Sequence, residues 1–164
     1  ALNAPNVVIH LAGAVLNTCA VERNPNFALY QDGLSAGVLR CQKTVEAEKK
    51  RIMDAMGYKM VIHTEHMEHV SQYDKYPELD CFRSLEGPSS MKHRYVVEDA
   101  TIGDSILMQL RERLGIPTPT VHALVQVAGA INGENYFAKG LKLWDLGITG
   151  STPEEMNGYL FTGD

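Results

Sequence analysis

No G-x-G-x-x-G turn, no G-x-x-x-x-G-K-[ST] loop and no strand-turn-helix unit occurs in these 164 residues. The chain by itself therefore has no ordinary means of cradling a dinucleotide or a nucleoside phosphate. Cysteine is scarce. Cys19, Cys41 and Cys81 are odd in number and show no C-x-x-C spacing, which argues against a disulfide framework and leads us to expect reduced thiols and a cytoplasmic location. Basic residues are not in excess: 15 Lys and Arg face 20 Asp and Glu, a net charge of −5. That balance excludes a global attraction to nucleic acid or an anionic membrane, though not a local cationic pocket for a small anion. Apolar runs are short. The longest opens near Val7 and is interrupted by His10 and Asn17, too short and polar for a membrane span. No basic and then apolar leader follows Ala1, so no signal peptide is expected. Residue 1 falls almost inside a helical pattern, and we expect the chain to be a piece of a longer protein.

What is present is an apolar fraction of 45% and a charged fraction of 21%, ordinary for a globular protein and enough for one core across residues 1–164. Helix punctuation is frequent and strand signals are few. A first helix is expected over about Asn6 to Val21, capped by Asn3 or Asn6. Phe27–Tyr30 is a short apolar run of open type. A second helix, capped by Ser35, runs to Met56 and is closed by Gly57. Val38, Cys41, Val45, Ile52 and Met56 lie inward, while Glu46, Glu48, Lys49, Lys50 and Arg51 mostly face away. Further helices are expected over Met60–Tyr73, Asp99–Leu114, Thr118–Ile131 and Asn135–Leu146. The stretch Asp74–Ser90 reads as irregular, and Thr152-Pro153-Glu154-Glu155 has capping-box spacing. The fold class is all-α.

Three features carry possible chemistry. His10 is set within the apolar sequence Val7-Val8-Ile9-His10-Leu11-Ala12-Gly13-Ala14. It is either a core histidine satisfied by a backbone carbonyl, or a proton donor and acceptor working near neutral pH. Gly13, one turn on, allows a close approach to that face. In Lys92–Asp99, the planar fork of Arg94 suits a carboxylate, and Asp99 suits the other nitrogen of an imidazole. The plainer alternative is a solvated helix entry with Asp99 as its cap. Finally, His63, His66 and His69 lie three apart, which drifts around a helix rather than forming the i, i+4 pair of a zinc helix. A solvated face is the expected reading and no metal site is assigned.

The motifs resemble one family. Asn6-Val7-Val8-Ile9-His10-Leu11-Ala12-Gly13 through Asn17 follows the pattern N-P-x-x-H-x-x-G-x-x-x-N, with Val7 in place of proline. Pro88 through Asp99 follows P-x-S-x-x-H-R-Y-x-x-E-D, and Leu114 through Pro119 follows L-G-[IV]-P-T-P. Together these resemble the C-terminal helical domain of octopine/nopaline-type opine dehydrogenases, a fold similar to the C-terminal domain of 6-phosphogluconate dehydrogenase. The resemblance implies a two-domain enzyme whose N-terminal Rossmann domain lies outside this sequence and binds most of NAD(H) or NADP(H). It implies NAD(P)H-dependent condensation of an α-keto acid with the amine of an amino acid. His10 matches the catalytic histidine, Asp99 its carboxylate partner, Arg94 the arginine for a substrate carboxylate, and Asn6 the asparagine near the nicotinamide. A homodimer through the helices is a further expectation. Two other readings stand beside this one: a related β-hydroxyacid or ketopantoate-type reductase domain, and a non-catalytic helical module for a ligand or metal.

Overall fold

The computed structural model describes residues 3–70, 72–150 and 152–162. Ten α-helices follow one another: α1 (Asn6–Leu16), α2 (Thr18–Arg23), α3 (Leu29–Asp32), α4 (Ala36–Ala55), α5 (Thr64–Met67), α6 (Arg94–Glu98), α7 (Asp104–Leu114), α8 (Pro119–Asn132), α9 (Tyr136–Lys139) and α10 (Pro153–Thr162). A π-turn, Asp99–Gly103, joins α6 to α7, and two 3-10 helices occupy Pro77–Ser84 and Leu143–Leu146. Among the described residues there is no strand, so the fold is all-α.

The apolar character of α1 on every side dictates its place. A helix without a polar face must be surrounded, and Val7 through Val15 are all buried. Helices α4, α6 and α8 and the π-turn pack around it. Each fully buried Val, Leu or Ile side chain contributes about 1.5–3 kcal/mol. This arrangement also takes His10 into the centre of the molecule.

Several local expectations need correction. The first helix breaks at Asn17, whose amide donates to Gly13 O at 2.8 Å and to Gly33 O at 2.9 Å and so draws the chain toward the loop before α4. Neither Asn3 nor Asn6 caps α1: Pro5 precedes it, and the Asn3 side chain accepts from Val61 N instead. The helix expected over Met60–Tyr73 contracts to the single turn of α5, whose start is fixed where His63 N and Thr64 N donate to the Glu46 carboxylate. The Asn135–Leu146 segment divides at Gly140, where a Cβ would lie 2.1 Å from Ser105 Oγ. There the chain leaves the helix so that Leu141 N can donate to Thr101 O at 2.7 Å. The helix expected from Asp99 already begins at Arg94.

The polar residues of α4 are the largest revision. Glu46, Glu48 and Lys49 do not face away; all three are buried, while Lys50 and Arg51 are exposed. The carboxylates act as caps for neighbouring helices. Glu46 accepts from His63 N at 2.6 Å and from the Thr64 hydroxyl at 2.5 Å. Glu48 accepts from Thr120 N at 3.0 Å and Val121 N at 3.0 Å, at the start of α8. Pro119 holds the first position of α8 and has no N–H to satisfy. Thr118, though placed as the cap, turns its hydroxyl toward Met108 Sδ. Removing the Glu48 carboxylate strands two amides near the core, so Glu48→Ala is expected to cost about 2–4 kcal/mol. Urea unfolding followed by circular dichroism measures this, and Glu48→Gln, which keeps an acceptor, is expected to cost less. Other expectations hold as read. Ser35 Oγ accepts from Val38 N, Gly57 adopts positive φ, and Thr152 and Glu155 exchange the two bonds of a capping box.

Candidate active site

His10 is held from three sides. Its Nδ1 lies 3.2 Å from Asp99 Oδ2, its Nε2 lies 3.0 Å from the Tyr30 hydroxyl, and its ring stacks on Tyr95 at 3.7 Å between centroids, 13° from parallel. A carboxylate beside Nδ1 favours the tautomer with the proton there, which leaves the Nε2 lone pair to accept from the Tyr30 O–H. Both His10 and Asp99 are more than nine-tenths buried, so their mutual attraction is little screened by water.

Each element contributes through its own sequence. Gly13 lets Leu29 press onto α1, since a Cβ there would sit 2.6 Å from Leu29 Cδ1. That packing seats α3, the single turn carrying Tyr30. His93 caps α6 by accepting from Tyr95 N at 3.3 Å. Burial, then the nearby charges of Arg94 and His10, hold the His93 imidazole below its ordinary value, which keeps that nitrogen free to accept. Burial, followed by the phenol of Tyr95 and the charge of Asp99, pushes the Tyr30 hydroxyl up, so it stays protonated as a neutral donor. Asp99 stands in the first position of the π-turn, where Asp104 N donates back five residues to Asp99 O. Gly103 lets this wider turn lie directly on α1: a Cβ there would be 2.4 Å from Val7 Cγ2. Asp99 is thus an interior helical residue and not the helix cap of the plainer alternative.

Arg94 is exposed at the first position of α6. Its guanidinium lies 5.3 Å from the Tyr95 ring, and among the described residues no carboxylate pairs with it. The fork is therefore available to an incoming carboxylate. Asn6, half-buried at the start of α1, shares with Asp99 the wall of an open cavity of about 730 Å³. The structure thus brings His10 and Asp99 into contact, places Arg94 on the ring that stacks with His10, and sets Asn6 one helical turn before His10.

The three histidines of the 63–69 segment separate. His63 Nε2 meets Asn3 O at 3.2 Å, His69 stacks on Tyr76, and His66 is exposed. Among the described residues no three His, Cys, Asp or Glu side chains come together as metal ligands would. No helix among them is long and apolar enough to cross a membrane.

Sequence reasoning missed Tyr30, which sits in a short run with no motif to mark it. Tyr95 lies inside a matched motif without a role attached. It also missed Asp104, buried with neither carboxylate oxygen hydrogen-bonded. Burial and, next, the charge of Asp99 raise the Asp104 carboxyl well above the ordinary range, with Lys49 opposing. The folded state therefore holds this proton more tightly than the unfolded chain. Its contribution to stability is full below about pH 4 and is lost as pH rises toward the folded value. Asp104→Asn is accordingly expected to raise Tm at pH 8, and to give progressively less advantage as thermal melts are taken down to pH 4.

The fold and the site are thus those of an all-helical domain built around a buried imidazole–carboxylate pair. The sequence matches the family described as NAD/NADP octopine/nopaline dehydrogenase, alpha-helical domain, over residues 1–132, and the chain belongs to that family. An opine dehydrogenase of Arthrobacter sp. strain 1C is 26% identical over 153 residues, covering 90% of this chain and 43% of that protein. A vitopine synthase of Allorhizobium ampelinum is 25% identical over 162 residues, covering 90% and 43%. A protein named ocs from Agrobacterium vitis is 24% identical over 156 residues, covering 89% and 43%. The chain spans less than half the length of these curated relatives.

Proposed function

We propose that this chain is the substrate-side domain of an opine dehydrogenase, which joins an α-keto acid to the amine of an amino acid and reduces the resulting imine. The observation that carries the reading is the buried contact of His10 with Asp99 at 3.2 Å, with Tyr95 stacked on His10 and the Arg94 guanidinium, unpaired among the described residues, 5.3 Å from the Tyr95 ring.

In this mechanism the Arg94 guanidinium grips the keto acid's carboxylate with two parallel charged hydrogen bonds. As the amine adds to the carbonyl carbon, negative charge builds on oxygen, and that oxygen must leave as water. Two protons are required: one passes from the adding nitrogen to the oxygen, and His10, having taken the other on Nε2 from the substrate's ammonium, returns it so that water departs and an iminium remains; the reverse direction runs the same transfers backward. Asp99 holds the ring's orientation and favours the imidazolium while His10 is charged. Tyr30, on Nε2, keeps that nitrogen hydrogen-bonded until substrate arrives. A nicotinamide cofactor, when bound, supplies the reducing hydride. Of this chain's residues, Asn6 would contact it in this reading; Asn6 lies at the start of α1 on the cavity wall shared with Asp99. The rest of the cofactor belongs to a nucleotide-binding domain outside this sequence, consistent with the chain's coverage of 43% of its relatives.

The test is NAD(P)H oxidation by the complete protein with pyruvate or another keto acid, with and without a panel of amino acids. Oxidation that requires both is expected. Oxidation by keto acid alone, unaffected by any amine, favours a simple keto-acid reductase and overturns the reading.

A further inference from the structure

His10 has no ring nitrogen to spare. Asp99 holds Nδ1 at 3.2 Å and the Tyr30 hydroxyl holds Nε2 at 3.0 Å. Tyr95 covers one face of the ring, and the residue as a whole is 6% exposed. A substrate can therefore meet Nε2 only by displacing Tyr30 or by acting through it. Tyr30 is firmly seated. Its ring lies 4.9 Å from that of Phe82, in the 3-10 helix Pro77–Ser84. The next residue ties the same two elements together, since Gln31 Nε2 donates to Arg83 O at 2.7 Å. The residue before it, Leu29, is fully buried against α1, where Gly13 leaves room. Gly87 brings the following loop onto Phe27, so closely that a Cβ would lie 2.0 Å from the Phe27 carbonyl oxygen. Swinging the phenol out would disturb this packing and leave a buried Nε2 without a partner.

We infer that Tyr30 is a catalytic residue of this site: its hydroxyl stays on Nε2 and carries protons between His10 and the substrate. The inference rests on the opine dehydrogenase reading above and refines one step of it, the path between the ammonium and the imidazole. A phenol suits the task because it donates one hydrogen bond while accepting another. On binding, an N–H bond of the substrate's ammonium breaks and its proton goes to the Tyr30 oxygen. The original Tyr30 O–H proton passes to Nε2. The phenol ends unchanged, the amine is neutral and free to add, and His10 is an imidazolium beside Asp99. When the adduct loses water the shift runs the other way. Nε2–H returns its proton to the Tyr30 oxygen, the Tyr30 O–H proton goes to the departing hydroxyl, and the C–O bond breaks to leave the iminium. No tyrosinate forms at any stage, in keeping with the upward shift that burial, Tyr95 and Asp99 impose on this hydroxyl. The charge of Arg94 acts on it in the opposite sense, so the phenol oxygen lies within the field of the guanidinium that would hold the keto acid.

The test removes one oxygen atom. Tyr30→Phe keeps the ring against Phe82, and a thermal melt checks the fold. The complete protein is used, with cofactor and the most active keto acid and amino acid of the panel above. kcat/KM for the amino acid is expected to fall by about 10²–10³, while KM for the keto acid stays within about twofold. A second measurement needs no substitution: the same rate constant is followed in mixtures of H₂O and D₂O. Two protons moving together give a curved dependence on the deuterium fraction, and one proton gives a straight line. The unsubstituted protein is expected to give the curve and Tyr30→Phe the line. If the variant does not fold, the dependence in the unsubstituted protein decides alone. A loss below about fivefold in a folded Tyr30→Phe, a curve that persists in it, or a straight line for the unsubstituted protein overturns the inference. His10 then meets the substrate directly and the opine dehydrogenase reading stands. Absence of amine-dependent turnover in the unsubstituted protein removes both.

Discussion

Asp99→Asn in the complete protein is expected to lower kcat/KM for amine-dependent reduction by about 10³–10⁴, with circular dichroism and Tm nearly unchanged. The substitution keeps the shape of a buried side chain and removes its charge. His10 then loses the group that favours its imidazolium, and an amide that offers N–H toward Nδ1 stabilises the wrong tautomer. His10→Ala removes the proton carrier itself and is expected to cost about 10²–10⁴. Steady-state NAD(P)H oxidation measures both. A loss of less than about tenfold in either would mean that the contact at 3.2 Å is only structural.

Arg94→Met is expected to reduce kcat/KM for the keto acid by about 10²–10⁴. It removes two charge-assisted hydrogen bonds, each contributing about 1.5–3 kcal/mol. Because the guanidinium is exposed and pairs with no carboxylate of the described structure, stability should hardly change, which separates a binding defect from unfolding. Arg94→Lys restores charge but not the planar fork, so only partial recovery is expected, read mainly in KM for the keto acid. KM for the amino acid should move little. Equal losses for both substrates would contradict the assignment of Arg94 to the keto acid.

Much of the scaffold was legible because it depends on local rules. The apolar helix around His10, the Ser35 cap, the glycines closing helices and the Thr152–Glu155 box are short-range signals, and each holds in the structure. The segments that were misread depend on contacts distant in sequence. Glu46, Glu48 and Lys49 look like the solvated face of an amphipathic helix. They are buried because amides of α5 and α8 and the Ala4 carbonyl come to meet them, which no periodicity announces. The π-turn at Asp99–Gly103 has no compositional marker, since it exists where Gly103 meets Val7 and Thr101 O is taken by Leu141.

The site divides in the same way. His10, Arg94, Asp99 and Asn6 stand within motifs, and the structure gathers His10 and Asp99 from opposite ends of a long stretch of chain. Tyr30 arrives from a single helical turn seated by Leu29 against Gly13. Only the folded chain reveals its position on Nε2. Lys49 and Asp104 were hidden for a physical reason: buried charges are costly, so each reads from sequence as surface.

The most direct test of the central claim is a double-mutant cycle on His10 and Asp99, with kcat/KM measured for the complete protein carrying His10→Ala, Asp99→Asn and both. If the imidazole and carboxylate act as one proton-handling unit, the double variant should be about as impaired as the worse single variant. Losses that multiply, so that the double variant falls by the product of the two, would show independent roles and contradict the account.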